Sequence, residues 1–238
     1  MTRIAAIIPA AGLGTRMGAG TPKQFLELDG VPIVVFTLRR LAASPLLAEF
    51  WIATLAEDVE ALAERVRGEA GGRPVHVLAG GETRQESVGR ALQQVPADFA
   101  WVVVHDAVRP LVTREIVERV VQEAQRCGAA IAALPAVDTV KEVRRGSLPE
   151  DAALIVATVP RERIVLAQTP QAFSTPLLRQ AFARATADGF VGSDEAVLVE
   201  RLGHTVHAVL GSERNLKITR PADLELVQFY LTREREGR

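Results

Sequence analysis

The 238-residue chain carries 28 lysines and arginines against 29 aspartates and glutamates, a formal net charge of −1, so no global field draws it to nucleic acid or to an anionic membrane. Hydrophobic residues make up 48%, too many for a disordered chain and enough to close one large domain, or one with a small appendage, without staples. The only cysteine, Cys127, has no second cysteine to pair with, which predicts a reducing compartment.

The first apolar run, Ile4–Ala10, follows Arg3 and imitates a short signal-peptide core, but Pro9, Gly12 and Gly14 interrupt it and no later run reaches membrane length. It reads as a buried first strand of a cytoplasmic protein. Phe50–Leu55 is a second strand, and Glu57–Arg67 has helical spacing, with Val59, Leu62, Ala63 and Val66 on one face. Val75–Leu78 is a third strand, followed by a helix near Ser87–Val95, and Trp101–Val104 is a fourth. Thr113 is a suitable cap for a helix that runs to Cys127 and stops at Gly128, before a fifth strand at Ala129–Leu134. Continuous rather than alternating apolar strands imply a sheet covered on both faces. With the intervening helices, that predicts a doubly wound, mostly parallel α/β sheet of the Rossmann-like kind.

Between 137 and 160 the rhythm breaks. Thr139–Val143, a turn at Arg145, Gly146 and Ser147, and Ala152–Val159 read as a long projecting hairpin. An isolated hairpin is marginal in water, so this β-arm is expected to pack on a second subunit, making the protein a homodimer. Helices near Thr175–Ala187 and Ser193–Leu202, a strand at Val206–Leu210 and a helix from Ala222 complete a single domain over 1–238.

Ligands of parallel sheets bind beyond the carboxyl ends of the strands, and four polar clusters fall at such ends. The first runs from Pro9 to Gly18 with Pro22, Lys23 and Gln24 beyond it. Its small residues let backbone N–H groups approach a phosphate chain, and Arg16 and Lys23 supply cations. It is neither a Walker loop, which needs Gly-Lys followed by Ser or Thr, nor a dinucleotide fingerprint, which wants glycine where Met17 stands. The second comprises Gly80, Gly81, Glu82, Thr83 and Arg84 with Ser87, where paired glycines allow close approach to a base and Ser87 doubles as a helix cap. The third, His105 to Pro110, puts Asp106 where a carboxylate holds a ribose hydroxyl or phosphate-bound Mg²⁺; the alternative is a buried pair of Asp106 with Arg109 that fixes the loop. His105 is expected to be a structural hydrogen-bonder, because attack by a phosphate oxygen needs no proton removed. The fourth joins Ser193, Asp194 and Glu195, read as a helix cap and first-turn acids, to Asn215, Leu216 and Lys217.

These clusters, with Asp138 and Thr139 and with Gln168 to Gln171, resemble the nucleoside-triphosphate transferases. Within them they are most similar to the 2-C-methyl-D-erythritol 4-phosphate cytidylyltransferase family, in order and over nearly the whole chain. The resemblance implies transfer of CMP from CTP to that acceptor with Mg²⁺, releasing pyrophosphate, in non-mevalonate isoprenoid biosynthesis. It implies that Arg16, Lys23 and Lys217 stabilise the α-phosphorus. Ala10, Ala11, Gly12, Gly14, Gly81, Glu82, Ser87, Asp106 and Ala107 would hold CTP. Asp106, Arg109, Thr139, Arg161 and Thr169 would hold the acceptor, with Thr139 and Arg161 delivered by the opposite subunit's arm. Glu82 stands where the family often has aspartate, and Val108 where alanine is common. The chain ends soon after Tyr230, so the cyclodiphosphate synthase domain fused in some relatives is not expected. The rivals are a ribitol 5-phosphate cytidylyltransferase, a sugar-1-phosphate nucleotidyltransferase, which usually needs a longer sugar-binding region, and a non-catalytic nucleotide sensor, which would be expected to lose Arg16 or Lys23.

Overall fold

The computed structural model describes residues 2–12, 23–144 and 152–237, with the side chain of Lys23 outside that set. The strands are β1 (Arg3–Pro9), β2 (Glu27–Leu28), β3 (Val31–Pro32), β4 (Leu47–Thr54), β5 (Val75–Ala79), β6 (Phe99–Val104), β7 (Ala129–Pro135), β8 (Val140–Arg144), β9 (Leu154–Val159), β10 (Val165–Ser174) and β11 (His207–Leu210). The α-helices are α1 (Ile33–Ala42), α2 (Val59–Arg65), α3 (Arg84–Gln94), α4 (Arg114–Cys127), α5 (Thr175–Ala187), α6 (Glu195–Glu200) and α7 (Pro221–Arg235). Seven strands form one sheet in the order β11-β7-β10-β6-β1-β4-β5. All pairs are parallel except the two made by β10, which runs antiparallel between β6 and β7.

The continuous apolar character of β1 has a direct cause. Side chains alternate across a strand, so Ile4, Ala6 and Ile8 join the core under α1 and α4, while Ala5 and Ile7 join the core under α3, α5 and α6. Both faces are dry, and polar residues have no place in the run. Truncating Ile7 to alanine would cost about 2–5 kcal/mol through lost burial and the cavity left behind. A third apolar cluster of Leu28, Ile33, Val108, Leu111, Ile218, Val227 and Leu231 fastens α7 beneath the loop after β6. That packing places Lys217, next to Ile218, beside Asp106.

Several boundaries differ from the sequence expectation. Ile33–Ala42, unassigned from the sequence, is helix α1: its β-branched start imitates a strand, but Pro32 presets the entry and the Ile33, Val34, Leu38 and Leu41 stripe is helical and buried. The region 57–67 divides into a 3₁₀ turn, Ala56–Asp58, followed by α2. Helix α3 begins at Arg84, and its cap is Thr83, whose hydroxyl accepts from the Glu86 N–H at 3.1 Å; Ser87 lies inside the helix instead of capping it. Likewise α6 is capped by Asp194, not Ser193, with the carboxylate accepting from the Val197 N–H at 3.1 Å. Gly128 ends α4 as expected, at a φ of +96° that disfavours a side chain.

The largest unforeseen element is β10. Its pairing with β7 shifts between Ala167 and Gln171, and Gln168 and Thr169 leave the regular ladder there. The arm exists as the antiparallel pair β8–β9, and the expected turn at 145–147 lies outside the described residues. The arm springs from the β7–β10 pair: Val165 is in register with Pro135, and the Ala136 N–H donates to the Ile164 carbonyl at 3.1 Å. Val143, Leu154, Ile155 and Val156 on it are all about half exposed or more.

Candidate active site

Four parallel strands, β1, β4, β5 and β6, end on one side of the sheet, and backbone bonds tie the residues that follow β1, β5 and β6 to the neighbouring strand. The Ala10 N–H donates to the Ala53 carbonyl at 2.7 Å, the Gly80 N–H to the Thr54 carbonyl at 2.7 Å, and the His105 N–H to the Ile7 carbonyl at 2.9 Å. Ala10 to Gly12, Gly81 to Arg84, Asp106 and Lys217 thereby surround a cavity with about 620 Å³ of empty space, open to solvent. The two glycines are dictated by closeness. A Cβ on Gly80 would stand 2.6 Å from the Ala11 Cβ, and one on Gly81 would stand 2.3 Å from the Glu86 Cβ. Ser87, fully buried, braces this loop, accepting from the Gly81 N–H at 3.0 Å and donating to the Thr83 carbonyl at 2.9 Å. Glu82 is exposed at the rim, and its backbone N–H donates to the Glu86 carboxylate at 3.0 Å.

A second cavity, with about 470 Å³ of empty space and likewise open to solvent, adjoins the first; Arg109, Gln168, Thr169, Gln171 and Asp194 line it. Arg84, Asp106 and Lys217 line both and form the wall between them. Asp106 is the hub. Its Oδ1 accepts from Arg84 Nε at 2.9 Å, and its Oδ2 faces Lys217 Nζ at 3.0 Å and Arg109 Nε at 3.4 Å. Burial by itself would push this carboxyl upward, but Arg84, Lys217 and Arg109 outweigh it and hold it far below the ordinary carboxylate range. The pairing of Asp106 with Arg109 anticipated from the sequence is present, though Arg84 and Lys217 sit closer to the carboxylate than Arg109 does. Arg109 spends another N–H on the Asn215 carbonyl at 2.8 Å.

His105, completely buried, has both ring nitrogens engaged: Nε2 with the Arg109 carbonyl and Nδ1 with the Thr169 hydroxyl, each at 3.1 Å. Because a carbonyl only accepts, Nε2 carries the proton and Nδ1 accepts from Thr169, whose oxygen in turn accepts the Asp106 N–H at 3.0 Å. Burial lowers the imidazole to about 4, so the ring is neutral near pH 7 and structural, as expected. Asn215 secures the same floor by donating to the Thr169 carbonyl at 2.8 Å.

Of the other residues anticipated from the sequence, Gly14 and Arg16 lie outside the described residues, as does the Lys23 side chain. Ala107 is buried, and its carbonyl accepts from Thr37 at 2.7 Å. Thr139 and Arg161 are exposed at the base of the arm, where Arg161 donates to the Val137 carbonyl at 2.6 Å, and neither lines the two cavities.

The match to known proteins follows this geometry. The family model for 2-C-methyl-D-erythritol 4-phosphate cytidylyltransferase matches residues 4–233. The chain belongs to that family. A cytidylyltransferase of this name from Acidobacterium capsulatum is 51% identical over 99% of this chain and all of its own, and one from Solibacter usitatus is 50% identical over 98% and 97%. Among solved structures, the Thermus thermophilus cytidylyltransferase is 38% identical, with a TM-score of 0.77, over 97% of this chain and all of that one. The 4-diphosphocytidyl-2C-methyl-D-erythritol synthase from Anaerococcus prevotii reaches a TM-score of 0.83 at 26% identity, covering 98% of this chain and 99% of that one. The chain is thus a cytidylyltransferase with the family's mostly parallel α/β sheet.

The sequence expectation gives Arg84 no role and Glu195 only that of a first-turn acid, whereas the structure puts Arg84 in the wall of the cytidylyltransferase site and Glu195 directly behind it. Arg84 donates to the two Glu195 oxygens at 2.7 and 3.1 Å while holding Asp106. From sequence, Glu195 is an ordinary first-turn acid; only the packing of α6 against the sheet distinguishes it from an exposed one. The donor set for a metal is poor here, since both oxygens of Asp106 face cations. Among the described residues, the grouping of metal-type ligands is Glu123, Cys127 and His207 on α4 and β11, outside both cavities, where Arg126 grips the Glu123 carboxylate at 2.7 and 3.1 Å. No helix among the described residues is long and apolar enough to cross a membrane.

Proposed function

We propose that this chain transfers CMP from CTP to 2-C-methyl-D-erythritol 4-phosphate within the two adjoining cavities, the first taking the nucleotide and the second the acceptor. An acceptor phosphate oxygen attacks the α-phosphorus, and the bond from that phosphorus to the bridging oxygen of pyrophosphate breaks. The products are 4-diphosphocytidyl-2-C-methyl-D-erythritol and pyrophosphate. The observation that carries the reading is the shared wall, which sets the Lys217 ammonium between the cavities. A fixed cation there stabilises charge that develops on phosphate oxygens during transfer. Attack by an anionic phosphate needs no general base, which fits a neutral His105 turned away into the protein.

The close approach at Gly80 and Gly81 suits the base and ribose, with backbone groups of Gly81 and Ala10 to Gly12 as the binding surface and Glu82 at its rim. Ala107 supports that surface from behind. Arg109 and Thr169 serve the acceptor side, and Arg16 and Lys23 are assigned to the phosphates by family resemblance. Asp106 is committed to its cations, so Mg²⁺ would be held chiefly by the substrate phosphates and would supply neutralisation of their charge. The protein works as a homodimer in which Thr139 and Arg161 of each arm complete the partner's acceptor site; the arm's exposed apolar residues support this. A cytoplasmic location fits the lone, unpaired Cys127.

Incubation of the purified protein with CTP, Mg²⁺ and either 2-C-methyl-D-erythritol 4-phosphate or ribitol 5-phosphate, with pyrophosphate release as the readout, tests the assignment. Turnover with the erythritol phosphate alone is expected. Turnover with ribitol phosphate instead would move the substrate, and no release with either would overturn the reading.

A further inference from the structure

The buried carboxylate of Glu195 touches neither cavity. It is 1% exposed, and its two oxygens are held by Arg84 Nη1 and Nη2 at 2.7 and 3.1 Å. Arg84 Nε in turn holds Asp106 Oδ1 at 2.9 Å, and Asp106 Oδ2 faces Lys217 Nζ at 3.0 Å. A continuous line of charges therefore leads from α6, behind the site, to the ammonium between the two cavities.

Structural needs do not explain this carboxylate. The start of α6 is already secured by the Asp194 cap and by Gln171, which donates to Asp194 at 2.8 Å and accepts the Ala196 N–H at 3.2 Å. Burying an ion pair is no reliable route to stability, since apolar residues of similar volume often serve as well or better. What the Glu195 fork does supply is direction. Gripped at both terminal nitrogens, the planar guanidinium can present Nε to Asp106 in one orientation only.

We infer that Glu195 is a positioning residue for transfer: acting through Arg84 and Asp106, it fixes where the Lys217 ammonium stands relative to the reacting phosphates. The inference rests on the function proposed above. Without the Glu195 charge, Arg84 turns toward Asp106, the carboxylate shifts, and Lys217 loses its fixed station. Displacements of this kind cost rate more than nucleotide affinity.

The test compares E195Q, which keeps the shape and removes the charge, with the parent, K217Q and the double variant. Expected for E195Q are a kcat lower by roughly 10- to 100-fold and a KM for CTP within about threefold of the parent. In the K217Q background, E195Q is expected to cost little more, because its effect passes through that lysine. An unchanged kcat in folded E195Q, or costs that multiply fully in the double variant, would overturn the positioning role while leaving the activity assigned. A parent enzyme that releases no pyrophosphate would remove the activity and the role together. If glutamine at 195 prevents folding, E195D carries the same comparison, since its carboxylate stops one methylene short of Arg84; a parent-like kcat there would equally overturn the role.

Discussion

Asp106 and Lys217 meet at 3.0 Å on the wall between the two cavities, and they differ in what the protein can spare. The lysine side chain is 36% exposed and the aspartate only 7%. K217Q should therefore fold normally, with Asp106 still held by Arg84 and Arg109, yet lose about 10²–10³ in kcat. Pyrophosphate release alongside a thermal melt separates the two effects, and an unchanged kcat would remove Lys217 from the mechanism.

Loss of the aspartate charge has the opposite balance. D106N leaves the buried Arg109 and the partly buried Arg84 without their shared counter-charge, Arg84 keeping only Glu195, and about 3 kcal/mol of stability is expected to go with it. Denaturant unfolding measures this directly; a loss below about 1 kcal/mol would show that the cations find water or other partners.

Acid stability depends on His105. Its folded-state value of about 4 lies below the ordinary 6.5, so the unfolded chain binds the extra proton first. Stability is then complete above about 6.5, falls as the pH drops toward 4, and levels off below it, for a total of about 3 kcal/mol. Asp106 has the same sign in a lower window: its contribution is present above the ordinary aspartate value and is lost only as the pH falls through its lowered one. Glu195, raised by burial despite Arg84, acts oppositely and offsets part of the loss. NMR titration of the imidazoles isolates His105: it should stay neutral through pH 5, and a ring that titrates near 6.5 would contradict the buried network.

Gly80 tests the nucleotide cavity. In G80A, the new methyl overlaps Ala11 and the Ser87 hydroxyl and pushes the two loops apart. A stability cost of about 1–3 kcal/mol and CTP affinity weakened roughly tenfold or more, on the scale of one lost hydrogen-bonding contact to a charged group, are expected by calorimetry. Wild-type affinity would mean that CTP does not lie on this loop.

The arm predicts an assembly. Ile155 and Leu154 are 59% and 52% exposed in the single chain, and covering them by a second copy would stabilise a dimer. The parent should sediment as a dimer and the L154E/I155E variant as a monomer with little turnover. A monomeric parent at micromolar concentration would refute the arm's proposed role.

The parallel frame was legible in the sequence because the runs at Ile4–Ala10 and Trp101–Val104 are apolar on both faces, which only a covered sheet explains. Strand β10 was not: Gln168, Thr169 and Gln171 interrupt its pattern, since buried polar side chains are tolerated where Ser212, Asn215, His105 and Asp194 satisfy them. Partners so distant in sequence leave no local trace. The same limit hid Glu195 and Arg84, separated by 111 residues. The carboxylate at Asp106 stood out because it comes two residues after the end of an apolar strand, where a charge signals a site.

The base of the arm is a closed seam, with Pro135 and Val165 in register and the next turn joined by the bond from Ala136 to Ile164. Everything from 137 to 163 thus hangs from two adjacent, already stitched strands and could be exchanged for a short turn without reopening the sheet. The arm's length and its tip are therefore decoupled from the folding of the sheet, while Thr139 and Arg161 at its base tie it to the acceptor site proposed above.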